Sequence, residues 1–418
     1  MSNLVPEGWS VEALDSVTKV IDSAHQTPVF SSSGYPMVRV GDIKGGRINL
    51  AGTASVSTEV FDVFTKKYQP QYNDILMTRV GSYGRSSIVK TDKAFCLGQN
   101  TVVVNPKSID ADYLYQFLQG QNAKDQIEDT VGGSSQKSLS LGAIKNLKVP
   151  ISPLSEQKKI ASILTSVDDV IEKTQAQIDK LKDLKTGMMQ ELLTSGVGVD
   201  GKPHTEFKDS PVGRIPKGWD VTALEDLASF VTSGSRGWAQ YYSDSGAIFI
   251  RIGNLTREHI NFRFKDTIYV NPPNTAEGKR TLVQTGDVLI SITADLGVIA
   301  VVNDDIGEAY VNQHVSLVRL KDKSISRWVG HFLAYEESQK QFTANNDSGA
   351  KAGLNLTAIK RTKIAIPPVE EMKKIVHTLD AVDRNIAIKR QKLSKVSDTK
   401  KALMQDLLTG KVRVKVDS

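Results

Sequence analysis

The sequence predicts an α+β chain built twice: two globular halves, each leading into one long helix, with the two helices forming an antiparallel intramolecular coiled coil. Three observations predict this. Segments recur in the same order in both halves. An apolar seam with steps of three and four follows each globular part. Both seams close on nearly the same words, "MQELLT" at Met189 to Thr194 and "MQDLLT" at Met404 to Thr409.

The repeat sets the frame. "VPEGWSVEALDSV" from Val5 matches "IPKGWDVTALEDL" from Ile215, which aligns Trp9 with Trp219 and Leu14 with Leu224. Downstream, "MVRVGDI" from Met37 pairs with "FIRIGNL" from Phe249, and "NDILMTRVGSYG" from Asn73 with "GDVLISITADLG" from Gly286. "GQNTVVV" from Gly98 pairs with "NQHVSLV" from Asn312, and "SLSLGAIKNLKVPISPLSEQKKI" from Ser138 with "GLNLTAIKRTKIAIPPVEEMKKI" from Gly353. The offset drifts only from 210 to 215, so small insertions account for it. Within each half, short β-rich runs (35–43, 74–80, 86–91 and 99–104; 247–253, 287–292, 298–303 and 314–320) alternate with Gly, Asn and Ser turns. "ADYLYQFLQGQNAKDQI" and "SRWVGHFLAYEESQKQF" each read as one amphipathic helix. The resulting segments are 1–150 and 215–367 for the globular halves, 151–195 and 368–410 for the helices, a Gly/Pro-rich linker at 196–214 and a tail at 411–418.

The first seam runs through Ile160, Leu164, Val167, Ile171, Ile178 and Leu181; the second through Ile375, Leu379, Val382, Ile386, Leu393 and Val396. That spacing is a heptad stripe. Pro153 and Pro368 suit a first helical turn, and Glu156, Glu370 and Glu371 suit its dipole. Gly187 inside the first helix predicts a local weakness. Two equivalent stripes in one chain can bury each other; separate hairpins or a homodimer are the alternatives.

Composition narrows the function. The chain has 418 residues and a net charge of +6; residues 1–150 contribute +1 and residues 361–418 contribute +7. A basic tail fits an acidic partner or nucleic acid. With Cys96 the single cysteine, no internal disulfide is possible, and a reducing, cytoplasmic setting follows. No signal peptide and no apolar run of membrane-spanning length are present. The six histidines show no metal-site spacing, and no phosphate-binding GxxxxGK[ST] or dinucleotide GxGxxG motif occurs. "NPPN" at Asn271 to Asn274 lacks the aromatic fourth residue of an adenine methyltransferase loop and reads as a turn. Asp74 and Asp287, equivalent in the repeat, read as turn caps. No catalytic, cofactor-binding or metal site is therefore expected in this chain.

Basic and amide side chains on glycine- and serine-rich segments are the better signal, because Arg reads guanine, Gln reads adenine and Lys meets phosphate. The DNA-contact candidates are Arg39 and its equivalent Arg251; Arg79, Tyr83 and Arg85; Gln136 and Lys137; Arg236, Trp238 and Gln240; and Lys351. For each, an ordinary surface or internal ion-pair role is the alternative. A non-catalytic spacer that binds proteins, or an enzyme in its own right, are the rival functions.

The "VPEGW" and "IPKGW" openings, the "SPLSEQKKIASIL" and "IPPVEEMKKIV" helix starts and the "LMQDLLTGKVRV" ending (Leu403 to Val414) resemble the specificity subunits of type I restriction-modification systems over nearly the whole chain. The resemblance implies that each globular half is a target recognition domain reading one part of a split, asymmetric sequence in double-stranded DNA. It implies that the helices separate the two readers and hold two adenine-N6 methyltransferase subunits, to which restriction subunits bind. S-adenosylmethionine would belong to the methyltransferase partner, and ATP and Mg to the restriction partner. The first half departs from the pattern by ending "LLTSGVGV" where the second ends "LLTGKVRV", with one extra residue, Ser195, and without the two basic residues.

Overall fold

The computed structural model describes residues 5–131, 138–303, 306–344 and 353–416. They divide into two compact units, Met1–Ala176 with Lys389–Ser418, and Gln177–Ile388. Each unit holds one globular half, the start of one long helix and the end of the other.

The globular halves share one topology. In the first, a four-stranded antiparallel sheet has the order Thr18–Asp22, Thr101–Pro106, Ile75–Thr78, Ser86–Ile88. Beside it lies a second sheet, ordered Phe30–Ser31, Ala54–Val56, Tyr35–Val38, Cys96–Leu97, whose last pair is parallel. The second half repeats both: Ala228–Ser233, Val315–Leu320, Val288–Ser291, Ile299–Val301, then Tyr242–Ser243, Tyr269–Val270, Ala247–Ile250, Ala309–Val311. A short ribbon closes each half, pairing Ser10–Ala13 with Lys148–Ile151 and Asp220–Ala223 with Lys363–Ile366.

Several sequence expectations change here. The runs at 35–43 and 247–253 stop being strand after Val38 and Ile250 and become the 3-10 turns Val40–Asp42 and Ile252–Asn254. The reason is local. Asp42 accepts a hydrogen bond from the Arg39 amide at 2.8 Å, and Asn254 one from the Arg251 amide at 2.9 Å, so each turn is satisfied by its own third residue. The amphipathic run in each half is two helices, Ala111–Gln119 then Gln121–Val131, and Ser326–Ala334 then Glu336–Ala344. Gly120 and Tyr335 separate them with extended backbone. The linker at 196–214 contains strand Phe207–Ser210, in a hairpin with Gly213–Pro216.

Asp74 and Asp287 are buried caps. Asp74 accepts from the Gln71 amide, Tyr68 and Asn105; Asp287 accepts from the Gln284 amide and from Arg319. The Asn271–Asn274 segment is a loop between strand Tyr269–Val270 and helix Ala276–Thr281.

The long helices are Leu154–Thr194 and Val369–Leu408, and the first passes unbroken through Gly187. In one unit Ile160, Ala161 and Leu164, near the start of the first helix, share a core with Met404, Leu407 and Leu408, at the end of the second. In the other, Met372, Ile375 and Leu379 pack with Leu193. Start against end, twice, makes the pairing antiparallel and intramolecular. Every predicted seam residue is buried or half-buried: Ile160, Leu164, Ile178, Ile375, Leu379, Val382 and Ile386 fully, Val167, Ile171, Leu181, Leu393 and Val396 partly. An ion pair recurs with the repeat, Lys400 to Asp168 and Lys185 to Asp383, each at 2.6 Å. Such a pair inside an apolar seam specifies register, because any slip buries one charge alone.

The repeated endings have a structural cause. Gly410 closes the second helix at φ 71°, and Gly196 lies just past the end of the first at φ 68°. A Cβ on Gly410 would come within 2.4 Å of Pro6, and one on Gly196 within 2.3 Å of Glu371 and 2.7 Å of Trp219. Each tail thus lies against the opening tryptophan of the repeat whose helix starts beside it. The knot is completed by a buried carboxylate. Glu156 accepts from the Trp9 indole at 3.4 Å and from two nitrogens of Arg413. Glu371 accepts from the Trp219 indole at 3.1 Å, the amides of Val197 and Gly198 at 3.0 and 3.1 Å, and lies 2.9 Å from His204. Where "LLTSGVGV" lacks the arginine, backbone amides and a histidine take its place.

Candidate nucleic-acid interface

The equivalent 3-10 turns border equivalent cavities. Each turn follows the third strand of the second sheet, Tyr35–Val38 or Ala247–Ile250, and shares a cavity with the segment that enters Thr101–Pro106 or Val315–Leu320. In the first half the cavity holds about 450 Å³ and is lined by Thr27, Pro28, Phe30, Arg39, Gly98 and Gln99, among others. In the second it holds about 490 Å³ and is lined by Arg251, Arg263, Lys265, Asp266, Asn312 and His314, with Ile252 and Gly253 of the turn. Gly98 and Asn312 correspond in the repeat. The frame is common and the side chains are not.

Arg39 is half exposed, lies over the Phe30 ring at 5.5 Å and meets Asp42 at 3.6 Å. Gln99 reaches Thr27 at 3.5 Å. In the second half, Arg251 donates from Nη2 to the Asp266 carbonyl at 2.9 Å, which fixes the guanidinium at the cavity wall. Asp266 takes φ 58°, a left-handed conformation that Asp tolerates better than most residues. Arg263 donates from Nε to the Gly253 carbonyl at 2.8 Å, leaving its terminal nitrogens outward. His314 lies 2.8 Å from Thr293 Oγ1 through Nδ1 and 3.2 Å from the Gln313 amide nitrogen through Nε2.

The other sequence candidates are dispersed. Arg79 is committed inward, donating to Asp22 at 3.0 and 3.1 Å and to the Leu139 carbonyl. Tyr83 donates to Glu128. Trp238 is 3% exposed and stacked on Phe249 at 5.5 Å, inside an aromatic core with Tyr310. Arg85, Arg236 and Gln240 are exposed, and neither arginine makes an ion pair among the described residues. Gln136, Lys137 and Lys351 lie outside the described residues. Residues the sequence reading passed over are Arg263, Lys265, His314, Thr27, Phe30 and Gln99. "NFRFKD" at Asn261 to Asp266 alternates basic and aromatic residues, a pattern that nucleic-acid surfaces use, and could have flagged the first two.

Among the described residues no group of three or more His, Cys, Asp or Glu side chains could hold a metal ion, and no helix is long and apolar enough to cross a membrane. The cavities offer guanidinium, ammonium, amide and aromatic groups, which suit recognition of a polyanion.

Comparison with known proteins defines the class. The family model of the type I restriction modification DNA specificity domain matches residues 6–183 and 216–398, so the chain belongs to that family, the non-catalytic specificity subunits of type I restriction-modification systems. It is 26% identical over 420 residues to the type I restriction enzyme MjaVIII specificity subunit of Methanocaldococcus jannaschii, covering 98% of this chain and 94% of that one. It is 21% identical over 397 residues to the EcoKI specificity subunit of Escherichia coli K12, covering 90% and 82%. The S subunit of a type I system from M. genitalium has the same fold, with a TM-score of 0.64 at 16% identity over 98% of this chain and 97% of that one.

Proposed function

We propose that this chain reads a split, asymmetric DNA sequence, one part with each globular half, and scaffolds two adenine-N6 methyltransferase subunits together with restriction subunits. One observation carries the two-part reading: an identical frame presents two cavities of similar size with unlike linings. Two identical readers would prefer a symmetric site; two different ones specify two different half-sequences. Within this proposal residues 1–150 and 215–367 are the target recognition domains, and the helices 151–195 and 368–410 join them. S-adenosylmethionine works in the methyltransferase partner, ATP and Mg in the restriction partner, and the assembly acts on double-stranded DNA in the cytoplasm. Arg39 and Arg251, at matching positions, are the first residues to test as contacts.

The test is the sequence of methylated sites in cells carrying the system. Two short blocks separated by a fixed unspecified gap are expected. Replacing residues 1–150 with the corresponding domain of a relative should change one block and leave the other. A single contiguous consensus, or an exchange that alters both blocks, would overturn the reading.

A further inference from the structure

The two cavities differ in charge more than in shape. The second is lined by Arg251, Arg263 and Lys265 against one carboxylate, Asp266. The first has one cation, Arg39, already facing Asp42 at 3.6 Å. Lys265 is exposed and makes no ion pair among the described residues. Nε of Arg251 is buried and has no hydrogen-bond partner, so a donor at this wall stays unspent. Arg251 has no carboxylate partner among the described residues, so its charge adds to those of Arg263 and Lys265 at the cavity. The first cavity instead exposes Phe30, with Val29 beside it 76% exposed, next to the amide of Gln99. That set suits base edges and thymine methyl groups better than phosphate.

We propose that the second cavity seats a backbone phosphodiester of the DNA, held by Arg251, Arg263 and Lys265, so that the second half supplies most of the salt-dependent grip while the first contributes mainly base contacts. This rests on the DNA-reading assignment above. Each phosphate neutralised contributes about 0.9 to the slope of log affinity against log salt, however many cations share it.

The experiment measures binding of the full chain, purified with the subunits it retains, to a labelled random-sequence duplex between ~50 and ~200 mM salt. R263A/K265A is expected to lower the slope by about 0.9, the value of one phosphate contact, and R263K should restore part of it in the K265A background. R39A should leave the slope close to the parent's. Both Arg263 and Lys265 are exposed, so a thermal melt close to the parent's is expected for the double variant. Parent-like slope in R263A/K265A, with duplex binding intact in the parent, overturns the phosphate assignment alone. A parent that does not bind duplex overturns the reading beneath it. A further arm titrates inorganic phosphate alone and follows the melt. Stabilisation at low millimolar phosphate that R263A/K265A abolishes, together with a parent-like duplex salt slope in that variant, would make the occupant a free anion and overturn the DNA source.

Discussion

His331 and Asp380 show how a buried pair makes stability depend on pH. His331 Nε2 lies 2.8 Å from Asp380, and its Nδ1 is buried without a partner. Burial pushes the His331 pKa down against the pull of Asp380, so the ring is neutral and donates from Nε2. Burial also pushes Asp380 up, but the hydrogen bonds from His331 and Arg327 outweigh it and bring its pKa down to about 2. Both shifts have the same sign. The unfolded chain binds more protons than the folded one once pH falls below ~6.5 at the histidine, and again between ~4 and ~2 at the aspartate. Stability should therefore fall on acidification in two steps, and H331Q should remove the upper one; a urea midpoint measured at pH 7.5 and 5.5 that shifts equally in parent and variant would contradict this. Cys96 offers a second check. Burial pushes its thiol pKa up to about 12, so alkylation at pH 8 should be negligible until the first half unfolds. Residue roles were the least legible level of the sequence. Arg79 and Trp238 have the right chemistry for DNA, yet one is claimed by Asp22, 57 positions away, and the other by an aromatic stack. No local pattern announces either partner.

The long helices were legible because their spacing repeats and their partner stripe lies in the same chain. Their polar positions were not. Lys400 falls at a seam position with no apolar side chain, and only the antiparallel alignment sets it opposite Asp168. The two recurring ion pairs should differ in cost. Asp383 is 3% exposed and Asp168 34%, so desolvation is severe only for the first. D383A, which leaves buried Lys185 with the Glu258 carbonyl at 2.7 Å but no carboxylate, should cost ~3 kcal/mol, and D168A ~1 kcal/mol or less. Denaturant titration decides, and equal costs would show that neither pair is dry. Ile386 is 5% exposed whereas Leu393 is half-buried. Ile386→Asp should therefore lower the melting temperature well beyond Leu393→Asp, because an unpaired carboxylate in an apolar stripe costs several kcal/mol when buried and little when solvated. The short strands were illegible for a simpler reason. Phe30–Ser31 and Cys96–Leu97 are two residues long, too short for any alternation to show.

At the scale of the molecule, the repeat made the duplicated α+β plan readable, while the division into compact units cuts both helices where composition does not change. The first unit is assembled from two stretches far apart in sequence, the second from one. Glu156 and Trp9 depend on Arg413 and Gly410 for their closure. Truncation after Thr409 should therefore expose Cys96 in the first unit to alkylation and leave the second unit's melt unchanged; protection of Cys96 in the truncated chain would contradict this. The same knot imposes an order in time. A ribosome adds ~5–20 residues per second, so the ~210 residues between the two stretches take about 10–40 s to make. The second unit can complete itself as it emerges. The first, although translated earlier, waits with one face of its core uncovered until the last helix arrives, and during that wait it is the part of the nascent chain a chaperone would have to shelter.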